Sequence, residues 1–126
     1  MSKQAIQTDK APGAIGPYSQ GISAGRLVVT SGQLPINMAT GGLETQNIRE
    51  AARYALQNVQ AVLQAAGAGM DAVIKTTVFL TDLADFAAVN EVYATFFGDT
   101  PPARSCVQVT ALPKGAHIEI EAIASL

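Results

Sequence analysis

The sequence predicts an α+β protein in which a single mixed sheet carries two helices packed on one face. Short runs rich in β-branched residues alternate with breaks that contain glycine or proline, as is typical of strands. Two longer segments repeat apolar residues at helical spacing. The order of these elements is strands, helix, strand, helix, strand, strand. At 126 residues the chain is expected to form one domain that spans residues 1–126.

The first third of the chain is predicted to supply two strands. Residues 13–25 are punctuated by glycine and are expected to form a loop with one short strand. Leu27–Thr30 is the next predicted strand, and it ends at the turn Ser31–Gly32. The pair Gly41–Gly42 then marks the tip of a second turn, so the first helix begins only after it.

The two helices are predicted from the spacing of apolar residues. Residues 46–66 repeat them at intervals of three and four, and Gly67 follows as a stop signal. The second helix is expected to begin at Thr81 or Asp82, because a short side-chain oxygen can accept a free backbone N–H there, and to end at Gly98. Its predicted buried face consists of Phe86, Val89, Tyr93, Phe96 and Phe97.

The remaining predicted strands are residues 72–80, 103–109 and 117–123. Residues 27–29 and 73–80 are apolar at both parities, which is typical of strands covered on both faces. Two helices can cover one face, and no sequence remains to cover the other. A composition of 48% hydrophobic and 14% charged residues also leaves much apolar surface to hide. We therefore expect another copy of the chain to cover the second face.

Composition also bounds the function. The net charge of −2 and the scattered basic residues do not predict nucleic-acid binding, which usually requires a positive stripe. No apolar run reaches membrane-spanning length, and the N-terminal residues lack the apolar core of a signal peptide. A single cysteine suits a reducing compartment, so we expect a cytoplasmic protein. One histidine and one cysteine do not supply a typical zinc site, so no metal is expected.

An arginine at the mouth of an apolar strand, in "PARSCVQV", is the most informative feature. Arg104, Cys106 and Gln108 share one face of the predicted strand, and Glu119 and Glu121 share one face of the last strand. If these two strands pair as a hairpin, the guanidinium and a carboxylate lie close together. One interpretation is a structural ion pair. The other is a binding site in which the planar arginine fork grips a substrate carboxylate through two parallel hydrogen bonds.

Other residues could carry chemistry, and each also has a simpler structural interpretation. Cys106 could be a nucleophile activated by His117, or a small buried hydrophobe. Tyr18 could instead pack over the edge of the core, and Asn90 could simply face solvent. The turn at Ser31–Gly32 could end a strand or offer backbone N–H groups to an anion. The residue pattern alone leaves these alternatives open.

Four segments resemble motifs of the Rid (YjgF-type) family of imine deaminases, and they occur in the family's order. They are "APGAIGPYSQG", "TSGQLP", "TVFLTDLADFAAVNEVYATFF" and "PARSCVQVTALPKGAHIEIEA". The resemblance extends over residues 11–124 and favours the RidA subgroup, which has 2-iminobutanoate/2-iminopropanoate deaminase activity. It implies a chorismate-mutase-like fold and a homotrimer with sites between subunits. It also implies a 2-imino acid substrate and no cofactor.

The resemblance further implies the residues of the site. Catalytic roles fall on Arg104, which would grip the substrate carboxylate, on Glu119, which would position the water, and on Tyr18. The other implied substrate-binding residues are Ser31, Gly32, Asn90 and Cys106, the last mainly through its backbone. The same cleft could belong to a non-catalytic sensor of 2-keto acids or to a purely structural trimer. A nuclease or inhibitor of translation is a further alternative, which the acidic composition disfavours.

Overall fold

The computed structural model describes residues 2–126, which form six strands and two α-helices. The strands are β1 (Lys3–Ile6), β2 (Gly21–Ala24), β3 (Leu27–Thr30), β4 (Val73–Leu80), β5 (Ala103–Gln108) and β6 (Ile118–Ser125), and the helices are α1 (Ile48–Ala65) and α2 (Phe86–Ala94). All six strands belong to one sheet in the order β1-β2-β3-β6-β4-β5. The pair β4–β5 is parallel and the other neighbours are antiparallel, so the predicted mixed sheet is confirmed.

The last two strands do not form the hairpin that was considered above. Helix α2 connects β4 to β5, and a crossover of this kind makes two neighbouring strands parallel. The final strand β6 then pairs with the opposite edge of β4, with Val78 facing Ile120. Strand β6 occupies a central position because its alternate residues, beginning with Ile118, are fully buried beneath the helices. Strand β4 therefore separates β5 from β6.

Helix α1 begins after Asn47, whose side-chain oxygen accepts hydrogen bonds from the N–H groups of Arg49 and Glu50. This cap places the first helical residue two positions later than predicted. The helix ends at Ala65, and Gly67 follows with a φ of 85°, a left-handed conformation that glycine adopts without strain. Its apolar face packs against β3 and β6, so the helix forms one wall of the core.

Helix α2 is shorter than predicted. Asp82 does act as a cap, since its Oδ1 accepts a 2.9 Å hydrogen bond from the Ala84 N–H, but it caps a single 3₁₀ turn. The α-helix begins only at Phe86 and ends at Ala94, ahead of the predicted stop at Gly98. Val89 and Tyr93 are buried as expected, whereas Phe86 remains partly exposed.

The helices cover one face of the sheet, and the other face has exposed apolar residues, as expected for strands that are apolar at both parities. Val28 is buried on the face that carries both helices, while its neighbours Leu27 and Val29 are exposed on the other face. Val107 of β5 is exposed on the same open face. Strand β1 was not predicted, because three of its four residues are exposed and follow no clear alternation. Among residues 2–126, neither helix combines the length and hydropathy needed to span a bilayer.

Candidate functional site

Six of the seven residues predicted to form the site line one of two cavities, and Cys106 lines neither. Tyr18, Ser31, Gly32 and Glu119 line one cavity of about 460 Å³, here called the glutamate cavity. Its other walls are Pro12, Gly13, Ile15, Gln20, Gln33, Leu34, Ile36, Pro113 and Lys114. Asn90 and Arg104 line a second cavity of about 440 Å³, here called the arginine cavity, together with Tyr93, Ala94, Phe97, Gly98, Pro101 and Pro102. No described residue lines both cavities.

The sheet register explains this division. Arg104 faces Thr76 across the parallel pair β4–β5, and Glu119 faces Phe79 across the antiparallel pair β4–β6. Residues 76 and 79 are three apart, and strand side chains alternate between faces. Thr76 is buried beneath α2, so Arg104 projects on the helical face and Glu119 on the open face. The interpretation of Arg104 as the partner of Glu119 or Glu121 in an ion pair is therefore wrong for a single chain.

A glycine allows the Ser31–Gly32 turn to approach Glu119. The turn is anchored to β6 by two backbone hydrogen bonds, Gln33 N to Ile120 O at 2.7 Å and Ile120 N to Gln33 O at 3.1 Å. Gly32 lies so close to the Glu119 carboxylate that a β-carbon there would overlap it. Any other residue would force the carboxylate or the turn to move. The turn and the carboxylate are therefore in direct contact.

The loop that carries Tyr18 is held to the same turn. The Ser31 N–H donates to Gln20 O at 2.8 Å, and the Ser31 hydroxyl donates to Ser19 O at 2.5 Å. The side chain of Gln20 is 3% exposed, and its amide donates to the carbonyl groups of Thr8, Ala11 and Pro12. Tyr18 itself is exposed, and its hydroxyl accepts a 3.4 Å hydrogen bond from the Ile15 N–H. Tyr18 is thus held at an open rim of the cavity.

The carboxyl group of Glu119 has a pKa above its ordinary value. Partial burial is the main cause, because it disfavours the charged form. The neighbouring charge of Glu121, which lies on the same face of β6, raises the pKa further. A raised pKa makes Glu119 a better proton acceptor than an ordinary carboxylate once it is ionised.

In the arginine cavity the guanidinium of Arg104 rests on aromatic rings. It lies 4.8 Å from the ring centroid of Tyr93 and 5.2 Å from that of Phe86, which are cation–π distances. Its Nη1 donates a 2.7 Å hydrogen bond to Asn90 Oδ1. Neither of the ion pairs recorded for residues 2–126 involves Arg104, so most of its five N–H groups remain available to a ligand.

Cys106 lies beside Arg104 on the same face of β5, but the geometry does not favour a nucleophile. Burial raises the pKa of the Cys106 thiol, and the opposing effect of the Arg104 charge does not outweigh it. His117 instead forms a 3.2 Å hydrogen bond to the Thr81 hydroxyl. Within residues 2–126 there is no group of three or more histidine, cysteine or acidic side chains arranged to hold a metal ion.

Two contributors to the site were missed by the sequence reasoning. Gln20 lies in the segment predicted to be a loop with one short strand, and no local pattern shows that a glutamine is buried. The aromatic rings of Phe86 and Tyr93, which contact Arg104, were predicted only to belong to the buried face of the second helix. A usable signal was present there, because Phe86, Asn90 and Tyr93 follow at intervals of four and three and therefore share one helix face.

The sequence and the structure are similar to those of known proteins along almost the whole chain. A RutC family protein, y4sK of Sinorhizobium fredii, is 54% identical over 96% of both chains. A 2-iminobutanoate/2-iminopropanoate deaminase of Salmonella typhimurium is 51% identical over 98% of both chains. The crystal structure of Escherichia coli TdcF with bound serine matches with a TM-score of 0.93, at 51% identity and 98% coverage of each chain.

The match to a family is equally extensive. Residues 8–126 match the family described as Endoribonuclease L-PSP, so only the first seven residues lie outside it. All four motifs quoted from the sequence lie within the matched residues. The chain therefore belongs to the Endoribonuclease L-PSP family, which is the Rid (YjgF-type) family that its motifs resemble.

Proposed function

We propose that this protein hydrolyses reactive 2-imino acids to 2-keto acids and ammonia. The observation that carries the proposal is the state of Arg104, a guanidinium held on aromatic rings beside a cavity of about 440 Å³ with no carboxylate partner among the described residues. A partly buried arginine fork of this kind is suited to a carboxylate ligand. The relative named as an imino acid deaminase and the relative with bound serine support a small amino-acid-like ligand.

A complete site requires more than one copy of the chain. Arg104 and Glu119 lie on opposite faces of one sheet, so they do not reach the same small substrate within one chain. The exposed apolar face that includes Leu27, Val29 and Val107 supplies a surface for self-association. We propose a homotrimer in which the arginine cavity of one subunit meets the glutamate cavity of the next.

The proposed reaction begins with binding of the substrate carboxylate by Arg104. Asn90 holds the guanidinium from one side, and the backbone near Cys106 orients the substrate. Across the subunit boundary, Tyr18 and the Ser31–Gly32 turn enclose the imine end. Positioning accounts for much of the catalysis, because the water and the imine carbon are brought together in a near-attack geometry.

The chemical step is addition of water to the imine carbon. Glu119 accepts a proton from an ordered water while the water oxygen bonds to the imine carbon. The electron pair of the C=N π bond then returns to the nitrogen as a lone pair. Glu119 returns that proton to the nitrogen of the resulting carbinolamine. The C–N bond then breaks, ammonia leaves, and the hydroxyl proton passes back to Glu119 as the oxygen forms the keto group; Glu119 finally releases this proton to the departing ammonia or to solvent. A protonated imine is a strong electrophile, so a carboxylate base is sufficient and no cofactor is required.

The test is an assay in which a pyridoxal-phosphate dehydratase generates 2-aminoacrylate from serine. Addition of this protein should accelerate conversion of the imine to pyruvate and ammonia in proportion to the protein concentration. A rate equal to that of buffer alone would contradict the proposed enzyme activity.

A second candidate function is non-catalytic binding of 2-keto acids or related carboxylates. The bound serine in the TdcF structure favours it, since the ligand there is a stable amino acid. Titration with 2-oxobutanoate distinguishes the two functions in combination with the assay above. Binding without acceleration of imine hydrolysis would identify a sensor.

A further inference from the structure

A buried pair of hydroxyl groups lies directly beneath the arginine of the proposed site. The hydroxyls of Thr76 and Tyr93 share a hydrogen bond of 2.7 Å, and the two residues are only 1% and 6% exposed. Thr76 belongs to the interior strand β4, and Tyr93 belongs to α2. The bond therefore fixes the tyrosine ring relative to the sheet, at the base of the arginine cavity.

The same ring supports the guanidinium. Thr76 and Arg104 are register partners on β4 and β5, so both side chains emerge on the helical face next to each other. The guanidinium carbon of Arg104 lies 4.8 Å from the Tyr93 ring centroid. Phe97 also packs against Tyr93, with the two ring centroids 4.7 Å apart and the ring planes at 44°. The ring is thus constrained by a strand, by a second aromatic side chain and by its own helix.

An arginine side chain is long and loses much conformational freedom when it is immobilised. If the side chain loses its conformational entropy when the ligand binds, the affinity is lower. If folding has already immobilised the side chain, the ligand meets a guanidinium that lies in the required plane, and the affinity is higher. Asn90 restrains one end of the fork by a single hydrogen bond. A fixed aromatic face restrains its plane, which one hydrogen bond does not.

We propose that Tyr93 is a positioning residue that acts through Arg104, and that Thr76 holds its ring in the orientation that presents the guanidinium to a carboxylate. The role rests on the proposed function, in which Arg104 binds the substrate carboxylate. It differs from a purely structural role, in which Tyr93 would only fill space between α2 and the sheet.

Matched double variants separate the two roles. Thr76→Val/Tyr93→Phe removes both hydroxyl groups and keeps the ring, and Thr76→Val/Tyr93→Leu removes the ring as well, so neither leaves a buried hydroxyl unpaired. We expect the variant with leucine to bind 2-oxobutanoate about tenfold more weakly than the variant with phenylalanine, as a cation–π contact at a partly buried site predicts. Tyr54→Leu is the control, because Tyr54 lies on α1 and bonds to Asn37, away from Arg104.

A second measurement does not depend on ligand binding. Nuclear magnetic relaxation of the Arg104 Nε–H group should report the most ordered side chain in the unmodified protein. It should report a less ordered one in the phenylalanine double variant, which keeps the ring but loses the hydrogen bond that orients it, and the most mobile one in the leucine double variant. If the leucine double variant does not fold, Thr76→Val/Tyr93→Met takes its place, since methionine fills irregular space without presenting an aromatic face.

The outcomes are distinguishable. Equal order of Arg104 Nε in the phenylalanine and leucine double variants, or equal affinity of these two variants for 2-oxobutanoate where the unmodified protein binds it, would overturn the positioning role of Tyr93. Equal order of Arg104 Nε in the unmodified protein and the phenylalanine double variant would overturn the role of Thr76. If the unmodified protein does not bind 2-oxobutanoate, the proposed function fails, and the relaxation experiment still decides whether Tyr93 orders Arg104.

Discussion

The glutamate cavity and the arginine cavity are built in different ways. The glutamate cavity is assembled mainly by backbone: the Ser31–Gly32 turn is tied to β6 and to the loop that carries Tyr18, and Gly32 lies directly against Glu119. The arginine cavity is assembled by side chains, with Arg104 between the rings of α2 and the amide of Asn90. One cavity thus presents a carboxylate near backbone groups, and the other presents a cation on an aromatic surface.

This difference has a functional consequence under the proposed mechanism. The two cavities hold complementary parts of one reaction, a proton acceptor and a carboxylate-binding cation, on opposite faces of the same sheet. Changes in the glutamate cavity should therefore reduce mainly the chemical step. Changes in the arginine cavity should reduce mainly substrate binding.

The largest expected effect is that of Glu119→Gln. Loss of the proton acceptor should lower kcat by roughly 100-fold or more, the usual contribution of a general base, while the affinity for 2-oxobutanoate stays near that of the unmodified protein. Steady-state kinetics in the coupled assay and calorimetric titration measure the two quantities. Glu91→Gln, which removes an exposed carboxylate on α2, is the control. Unchanged turnover in Glu119→Gln would mean that a different residue accepts the proton from the attacking water.

Arg104→Lys should have the next largest effect. Lysine keeps the charge but not the planar fork, and we expect a loss of about 2 kcal/mol, or roughly 30-fold in kcat/KM, from the lost bidentate hydrogen bonds to the substrate carboxylate. The loss should appear mostly in KM, with the oligomeric state unchanged by light scattering. The exposed Arg53, whose partner is Glu50, provides the control Arg53→Lys. Normal kcat/KM in Arg104→Lys would exclude bidentate recognition.

Gly32→Ala tests the close backbone approach in the glutamate cavity. Because the added methyl group would overlap the Glu119 carboxylate, the carboxylate must rotate or the turn must shift. A displacement of this size should lower kcat by about tenfold with little change in KM. Gly42→Ala is the matched control, since a β-carbon there would meet only Thr40 Oγ1 at 3.4 Å. Equal kcat values for the two variants would show that the position of the carboxylate is not critical.

Glu121→Gln should have the smallest effect, confined to the pH profile. The charge of Glu121 contributes to the raised pKa of Glu119, so its removal lowers that pKa. Glu119 must be ionised to accept a proton, and the acidic limb of kcat/KM should therefore move to lower pH, with the plateau unchanged. A limb that stays in place or moves to higher pH would mean that it reports a different group.

Much of the fold could be predicted from the sequence, because the decisive signals are local. The strand Leu27–Thr30 was predicted with its observed limits, and α1 was predicted to within two residues. The pairing of β5 was not predictable from its own pattern, since it depends on α2 acting as a crossover connection. Strand β1 also gave no signal, because an exposed edge strand has no buried face to impose alternation.

The site could be predicted only in part, and for a physical reason. Strand parity placed Arg104 and Cys106 on one face correctly, but whether Glu119 shared that face depended on which strand lies between them. The contact between Gly32 and Glu119 joins residues far apart in sequence, and no local pattern encodes it. The roles assigned to these residues came from the resemblance to a family, and they remain proposals.

The central claim is that one chain supplies the cation and another supplies the carboxylate of each site, and subunit complementation tests it most directly. Arg104→Lys and Glu119→Gln chains, each weakly active alone, would be co-expressed in equal amounts and the mixed oligomers assayed. Random assembly through a head-to-tail interface should restore about a quarter of the sites, and with them about a quarter of the normal activity. Activity no greater than the average of the two parent variants would contradict a site shared between subunits.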